Sequence, residues 1–221
     1  MNGRPRVFVE TNTIKLSTDS RTVLMPRPQK LLRWGGKDIL TTVHDIVEIN
    51  PNDKIKDQGF RAEVDLLTRI ADVAKAGEIE LITTAEVFVE LLGITILGQR
   101  KTRLLDAPIT RVKAPFEYSR VIAGFQQSAS SRPGHDAQVA FLKSLTFPRL
   151  LQLRKACGAD QGKEVNGNQL IDAFHVWCAE EAGASHFLTC DLKLVRLVRQ
   201  YKKYPVKVKV VSPSELLADL A

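Results

Sequence analysis

The chain has 221 residues, 44% hydrophobic and 26% charged, with 32 Lys and Arg against 25 Asp and Glu. That length buries a sizeable core as one enlarged domain, and the balance of apolar and charged residues excludes wholesale disorder. No apolar run is long enough to span a bilayer and no charged-then-apolar leader opens the chain, so a cytoplasmic location is expected. The formal net charge of +7 suits a polyanionic partner. Three cysteines, Cys157, Cys178 and Cys190, have no C-x-x-C spacing, which argues against a disulfide scaffold or a structural zinc.

In chain order, Arg6-Val7-Phe8-Val9 predicts a short buried strand that ends at Glu10. Residues 17–59 are punctuated by Pro26, Pro28, Gly35-Gly36 and Pro51 and read as an irregular insertion with one helical piece over 39–49. Val64, Leu67, Ile70, Val73 and Ala74 lie at helical spacing over 60–76, and Gly77 is a natural stop. A short strand over 79–83 precedes an apolar helix over 85–97 that carries Glu86 and Glu90. Residues 99–165 are broken by Pro108, Pro115, Pro133-Gly134 and Pro148, with helical pieces at 138–145 and 149–155 and a brief strand near Val112.

The C-terminal third is clearer. Asn168 is the expected cap of a helix running to Glu181, apolar at Leu170, Ile171, Phe174, Trp177 and Cys178 and ended by Gly183. A strand over 186–189, a basic helix from Leu192 to about Tyr201 and a strand over 206–211 follow. Ser212-Pro213-Ser214-Glu215 then opens a terminal helix as a capping box. Short apolar strands alternating with helices predict a three-layer α/β/α fold around a central parallel sheet, with helical insertions. The domain reading is a single unit over 1–221, with an insertion at 17–59 and a variable helical region at 99–165.

Four acids sit where core elements should have none: Glu10 after the first strand, Glu90 in the apolar helix, Asp172 on the 168–181 helix and Asp191 after the 186–189 strand. A carboxylate beside a core element is costly unless a cation meets it. Parallel sheets bind ligands beyond the carboxyl ends of their strands. Four acids converging there suit Mg²⁺ or Mn²⁺, which take oxygen ligands and retain water. Glu86, one turn before Glu90, is assigned an accessory or structural role. His175, three residues after Asp172, reads by default as a satisfied core histidine, and His44, His135 and His186 have no ligand spacing. Cys190 reads as a small buried residue at a strand end.

Cationic residues cluster twice. Lys193, Arg196, Arg199, Lys202, Lys203, Lys207 and Lys209 form an acid-free stretch with Tyr201 and Tyr204 interleaved, and 21–37 holds five cations around Trp34. Either patch alone reads equally well as a solvated charged face. Together with an acidic site they favour a phosphate-rich substrate.

Several stretches carry a likeness. Val7-Phe8-Val9-Glu10-Thr11-Asn12, Leu81-Ile82-Thr83-Thr84-Ala85-Glu86-Val87-Phe88-Val89-Glu90-Leu91, the segment from Asp172-Ala173-Phe174-His175 to Phe187-Leu188-Thr189-Cys190-Asp191, and Val210-Val211-Ser212-Pro213-Ser214-Glu215-Leu216-Leu217 occur in this order. Under half of the chain is covered, and the ordered set resembles the PIN-domain ribonucleases, including bacterial toxin endonucleases. The resemblance implies a metal-dependent endoribonuclease in which Glu10, Glu90, Asp172 and Asp191 hold Mg²⁺ or Mn²⁺ and cleavage leaves a 5′-phosphate. It implies that Asn12 and Thr189 orient the acids, and that Lys193, Arg196, Arg199, Lys202 and Lys203 grip RNA. It further implies a small acidic antitoxin-like partner and a homodimer, with the 85–97 helix as one surface.

One departure stands out: Glu10 occupies a position where the family carries aspartate. Its extra methylene displaces the carboxylate, to which Mg²⁺ geometry is sensitive. Activity is therefore expected to be weakened, shifted toward Mn²⁺, or lost. The alternative reading is a catalytically impaired PIN-like scaffold that binds RNA or a protein. A third, an unrelated enzyme on a small phosphorylated molecule, lacks any Gly-rich phosphate loop.

Overall fold

A computed structural model describes residues 3–27, 30–92, 100–117 and 133–221. The N-terminal part runs β1 (Arg6–Val9), α1 (Thr11–Leu16), β2 (Thr18–Pro26), β3 (Lys30–Trp34), β4 (Lys37–Thr41), β5 (His44–Ile49) and α2 (Gln58–Lys75). Next come β6 (Glu80–Thr84), α3 (Ala85–Leu92), β7 (Arg100–Thr102), β8 (Ile109–Val112), α4 (Pro133–Ser144) and α5 (Pro148–Ala156). The chain closes with α6 (Gly167–Glu181), β9 (His186–Leu188), α7 (Leu192–Gln200), β10 (Lys209–Val211) and α8 (Pro213–Asp219).

The central sheet is five-stranded and parallel throughout, in the order β10-β9-β1-β6-β8. Helices flank it, giving the three-layer α/β/α architecture. Val7, Phe8 and Val9 of β1 are fully buried, as are Leu81 and Ile82 of β6 and Phe187 and Leu188 of β9. Such continuous apolar runs are what a strand covered on both faces requires. The chain first moves outward from β1 through β6 to β8, then crosses to the other side of β1 for β9 and β10. Strand order therefore reverses at the β1–β9 boundary, where a crevice opens at the carboxyl edge. Among the described residues no helix is long and apolar enough to cross a membrane.

Most predicted elements form within a residue or two of their expected bounds. The strand near Val112 is β8, and Gly77 and Gly183 close their helices at φ of 79° and 66°. The cap of α6 is Asn166 rather than Asn168, its side chain accepting the N–H of Gln169 at 3.2 Å. Residues 93–97 of the expected apolar helix lie outside the described residues.

The 17–59 segment differs from its expectation. It is neither irregular nor helical over 39–49; it is an antiparallel β arm. Strand β2 pairs with β5 and β7, and β3 pairs with β4 across a Gly35-Gly36 turn. Both glycines have positive φ, 59° and 78°, the conformation that a two-residue hairpin turn demands. Apolar residues at 39, 40, 43, 46, 47 and 49 fit a helical or a strand period over so short a window. Cross-strand partners decide for the strand, and β5 alternates exposed and half-buried along its length.

Asn52 pins the arm to the core. Its side-chain amide donates to the carbonyls of Leu16 (2.7 Å) and Thr18 (3.2 Å), while Arg61 donates to its carbonyl at 2.6 Å. Asn52→Ala leaves two inward carbonyls unsatisfied and is expected to destabilise the arm by about 1–3 kcal/mol. Hydrogen exchange should then accelerate in β2, β5 and β7 while β1, β6 and β9 keep their protection.

Candidate acidic site

Glu10 follows β1 directly and starts α1. Its carboxylate folds back as the cap of that helix, accepting the N–H groups of Asn12 (2.5 Å) and Thr13 (3.0 Å) and the Thr13 hydroxyl (2.8 Å). The longer glutamate arm permits this return while leaving the group almost fully buried, at 3% exposure. Asp191 repeats the device after β9, capping α7 through the N–H groups of Lys193 (2.8 Å) and Leu194 (3.0 Å). Thr189 links the two acids. Its hydroxyl accepts the N–H of Asp191 at 3.0 Å and donates toward Glu10 at 3.4 Å.

Glu90 reaches the same corner from α3. It accepts hydrogen bonds from the hydroxyl of Thr11 and from Gln138 on α4 (2.5 Å), and its Oε1 lies 3.2 Å from Nε2 of His175. Burial pushes the Glu90 carboxyl upward, yet the charge and hydrogen bond of His175, with Thr11 and Gln138, outweigh it and leave it below the ordinary range. The same pair acts in reverse on His175. Burial lowers its pKa, but Glu90, Glu10 and Asp172 raise it above the ordinary value. Glu10 ends raised because burial exceeds the help of Thr13, Asn12 and His175.

Asp172 completes the set, one turn before His175 on α6. Its carboxyl is pushed up to about 8, first by burial and then by the charges of Glu10, Asp191 and Glu90, with His175 opposing. Asp172 thus lies within electrostatic reach of the other three acids. Thr11 and Thr189 link Glu10, Glu90 and Asp191 at the carboxyl edge of the sheet, where strand order reverses. Glu86 is more buried than Glu90, at 1% exposure, and acts on Cys178 of α6.

An open cleft of about 610 Å³ adjoins this corner, lined by Asn12, Lys15, Leu16, Asp57, Phe60, Cys190, Asp191 and Leu192. Asn12 thus contributes its backbone N–H to the Glu10 cap and also lines the cleft. Cys190 is buried with its thiol pushed up to about 12 by burial and Glu10, which makes it inert as a nucleophile.

The basic stretch divides. Arg199 donates twice to Glu215 (2.7 and 2.6 Å), and Lys209 binds both oxygens of Asp219 (2.7 and 2.6 Å). Both side chains secure α8. Lys193, Arg196, Lys202 and Lys203 remain exposed, with the Lys203 ammonium 5.6 Å from the Tyr204 ring centroid.

His175, Thr11, Thr13 and Gln138 are contributors that sequence reasoning did not assign. His175 is a core histidine as expected, and it faces Glu90 across helices. The hydroxyls at 11 and 13 flanking the Glu10 cap were the available signal; Gln138 had none.

The donor set is all oxygen, which fits a hard divalent cation. Among the described residues, however, no three His, Cys, Asp or Glu side chains form a ready-made metal cage. Glu10 spends both carboxylate oxygens on its helix cap and Asp191 spends one. The arrangement fits an ion held by one or two carboxylates and water, as Mg²⁺ commonly is. No family model, curated protein or solved structure matches this chain significantly.

Asp172 has a pH signature. The folded protein keeps a proton up to about pH 8 that the unfolded chain releases near 3.8. Stability without cation therefore falls as pH rises between those values and is lowest above the folded pKa. Asp172→Asn should stabilise the protein above that pKa by on the order of 2 kcal/mol and have little effect well below 3.8. Urea unfolding at several pH values in EDTA measures the difference.

Proposed function

We propose that this chain is a PIN-like endoribonuclease that hydrolyses RNA phosphodiester bonds with Mg²⁺ or Mn²⁺. The observation that carries the reading is Asp172. Of the four gathered acids, Glu10 and Asp191 meet helix N-termini and Glu90 meets His175, whereas Asp172 meets its burial with a proton. Replacing that proton by a divalent cation relieves the repulsion that raises it.

Asp172 and Asp191 would hold the ion most directly, and Glu10 after turning from its cap. The ion would supply Lewis-acid neutralisation of the scissile phosphate and a lowered pKa for an attacking water. Thr189 keeps Asp191 and Glu10 in register, and the Glu90–His175 pair fixes α3 against α6. The exposed Lys193, Arg196, Lys202 and Lys203 supply attraction to the phosphate backbone, which added salt should weaken.

A second reading, a catalytically impaired scaffold binding RNA or a protein, is favoured by one observation: the Glu10 oxygens are already occupied by α1. Two variants separate the readings. For a nuclease, Asp172→Asn and Asp191→Asn each lower Mn²⁺-dependent cleavage of single-stranded RNA by on the order of 100-fold, with RNA binding in EDTA retained. For a scaffold, the parent protein shows salt-sensitive RNA binding without turnover, and only Glu10→Asp cleaves. An unchanged rate in Asp191→Asn removes the nuclease reading.

A further inference from the structure

The acidic site and the cations of α7 leave one feature of the sequence unused: the cationic stretch around Trp34, which the fold places on the β arm. Residues 18–49 and 100–103, the arm with its return through β7, hold eight Lys or Arg against four Asp or Glu, which is +4 of the chain's +7. Each of those acids already faces a cation of the arm. Asp45 pairs with Arg27, Asp19 with Arg103 and Glu48 with Lys101, and Asp38 stands opposite Arg33. The surplus on the arm is therefore cationic, and it suits a polyanion.

The distal hairpin shows where that polyanion would lie. Strands β3 and β4 pair only with each other among the described residues, and alternation about their register gives two unlike faces. One face carries Leu31, Arg33, Asp38 and Leu40, with the Arg and the Asp directly opposed, so it is neutral. The other carries Leu32, Trp34, Lys37 and Ile39, with Trp34 opposite Lys37 and no acid. Its indole is 78% exposed, against 6% for Trp177, the other tryptophan. Leu32 at 50% and Ile39 at 48% extend the wet apolar strip beside it. A single exposed hydrophobic is ordinary, whereas an indole, two aliphatic chains and an ammonium on one strand face make a surface that something covers.

The chemistry of that face selects the occupant. A flat indole beside an ammonium is the complement of a base joined to its phosphate. The base must be unpaired, because a duplex buries the faces that would stack. An anionic membrane fits less well. The two cross-strand pairs nearest the Gly35-Gly36 turn are Trp34–Lys37 and Arg33–Asp38, so the tip would carry three charges into hydrocarbon. Position agrees with a nucleic acid. The cleft beside Asp191 extends to Leu16, whose carbonyl also accepts the Asn52 amide at the base of the arm (2.7 Å). A strand leaving the cleft past Leu16 therefore meets the base of the arm.

We propose that the face of the β arm formed by Leu32, Trp34, Lys37 and Ile39 is a second binding site for single-stranded RNA. An unpaired base stacks on Trp34, Lys37 meets a neighbouring phosphate, and the aliphatic pair covers the rest of the base or its ribose. The opposite, neutral face takes no part. The inference rests on RNA as the ligand of the function proposed above. It needs neither a metal nor turnover.

Binding of an unstructured oligouridine RNA to the full chain in EDTA tests this. Tryptophan fluorescence should be quenched on binding, because Trp34 is in water and Trp177 is buried. Trp34→Ala and Lys37→Glu should each weaken affinity about ten-fold with an unchanged circular dichroism spectrum. Trp34→Phe should keep most of the affinity, and Leu31→Thr with Leu40→Thr on the neutral face should keep all of it. Parent-like affinity in Trp34→Ala overturns the proposal, as does binding without quenching. A loss in the Leu31 and Leu40 variant equal to that in Trp34→Ala also overturns it. So does equal affinity and quenching with fully paired RNA, or quenching by phosphatidylserine vesicles and not by RNA. A parent that binds through Trp34 yet never cleaves in Mn²⁺ removes the nuclease reading and leaves the arm site. Cleavage with an affinity indifferent to Trp34 does the reverse.

Discussion

Holding four carboxylates near one edge of the sheet, with Glu10 buried, Glu90 and Asp172 half-buried and Asp191 exposed, is the constraint around which that edge is organised. Carboxylates that close repel, and burial removes the water that would otherwise weaken the repulsion. The protein answers with three kinds of countercharge. Glu10 and Asp191 face the N-terminal N–H groups of α1 and α7, where backbone dipoles supply partial positive charge. Glu90 faces His175, and each shifts the other toward its charged form, the carboxyl downward and the imidazole upward. At Asp172 the charge of His175 is outweighed by burial and the neighbouring acids, which push its carboxyl up to about 8.

The same arrangement explains why the local structure is firm. The strand-to-helix turns after β1 and β9 use the acid that ends the strand to start the helix, so capping and site geometry are one interaction. Thr189 ties the two turns together, and Thr11 carries the connection from α1 to Glu90. A change in any of these side chains alters both a helix terminus and the position of an acid. Substitutions here are therefore not purely electrostatic, and their effects on stability and activity need separate measurement.

The β arm leaves the core one residue after α1 ends and returns through Asn52 and β7 to the same place. Arg103 and Leu104 donate backbone N–H groups to the carbonyl and hydroxyl of Ser17, closing the base of the arm. The arm is therefore hydrogen-bonded at its base to the end of the helix that Glu10 caps. The acidic corner sits one short helix away from it.

Much of the core was readable from residues alone. The strand at Arg6–Val9, the helix over Gln58–Lys75, the capping box at Ser212 and the four acids announced themselves through period, caps and charge in apolar surroundings, which are local properties. The arm was misread because proline, glycine and mixed apolar spacing describe a hairpin and an irregular loop equally well until cross-strand partners are known. The cap of α6 was misplaced by two residues because Asn166 and Asn168 are chemically equivalent in the sequence, and only backbone geometry distinguishes them.

Residue types and their order determined that this is a parallel α/β chain with acids at strand ends, since burial and helix initiation act over a few neighbours. Which acid meets His175, which one curls back onto its own helix and which keeps a proton was decided only by tertiary structure. Those outcomes depend on distances between elements up to 181 positions apart, from Glu10 to Asp191, and electrostatic energy is set by separation and solvent rather than by sequence order.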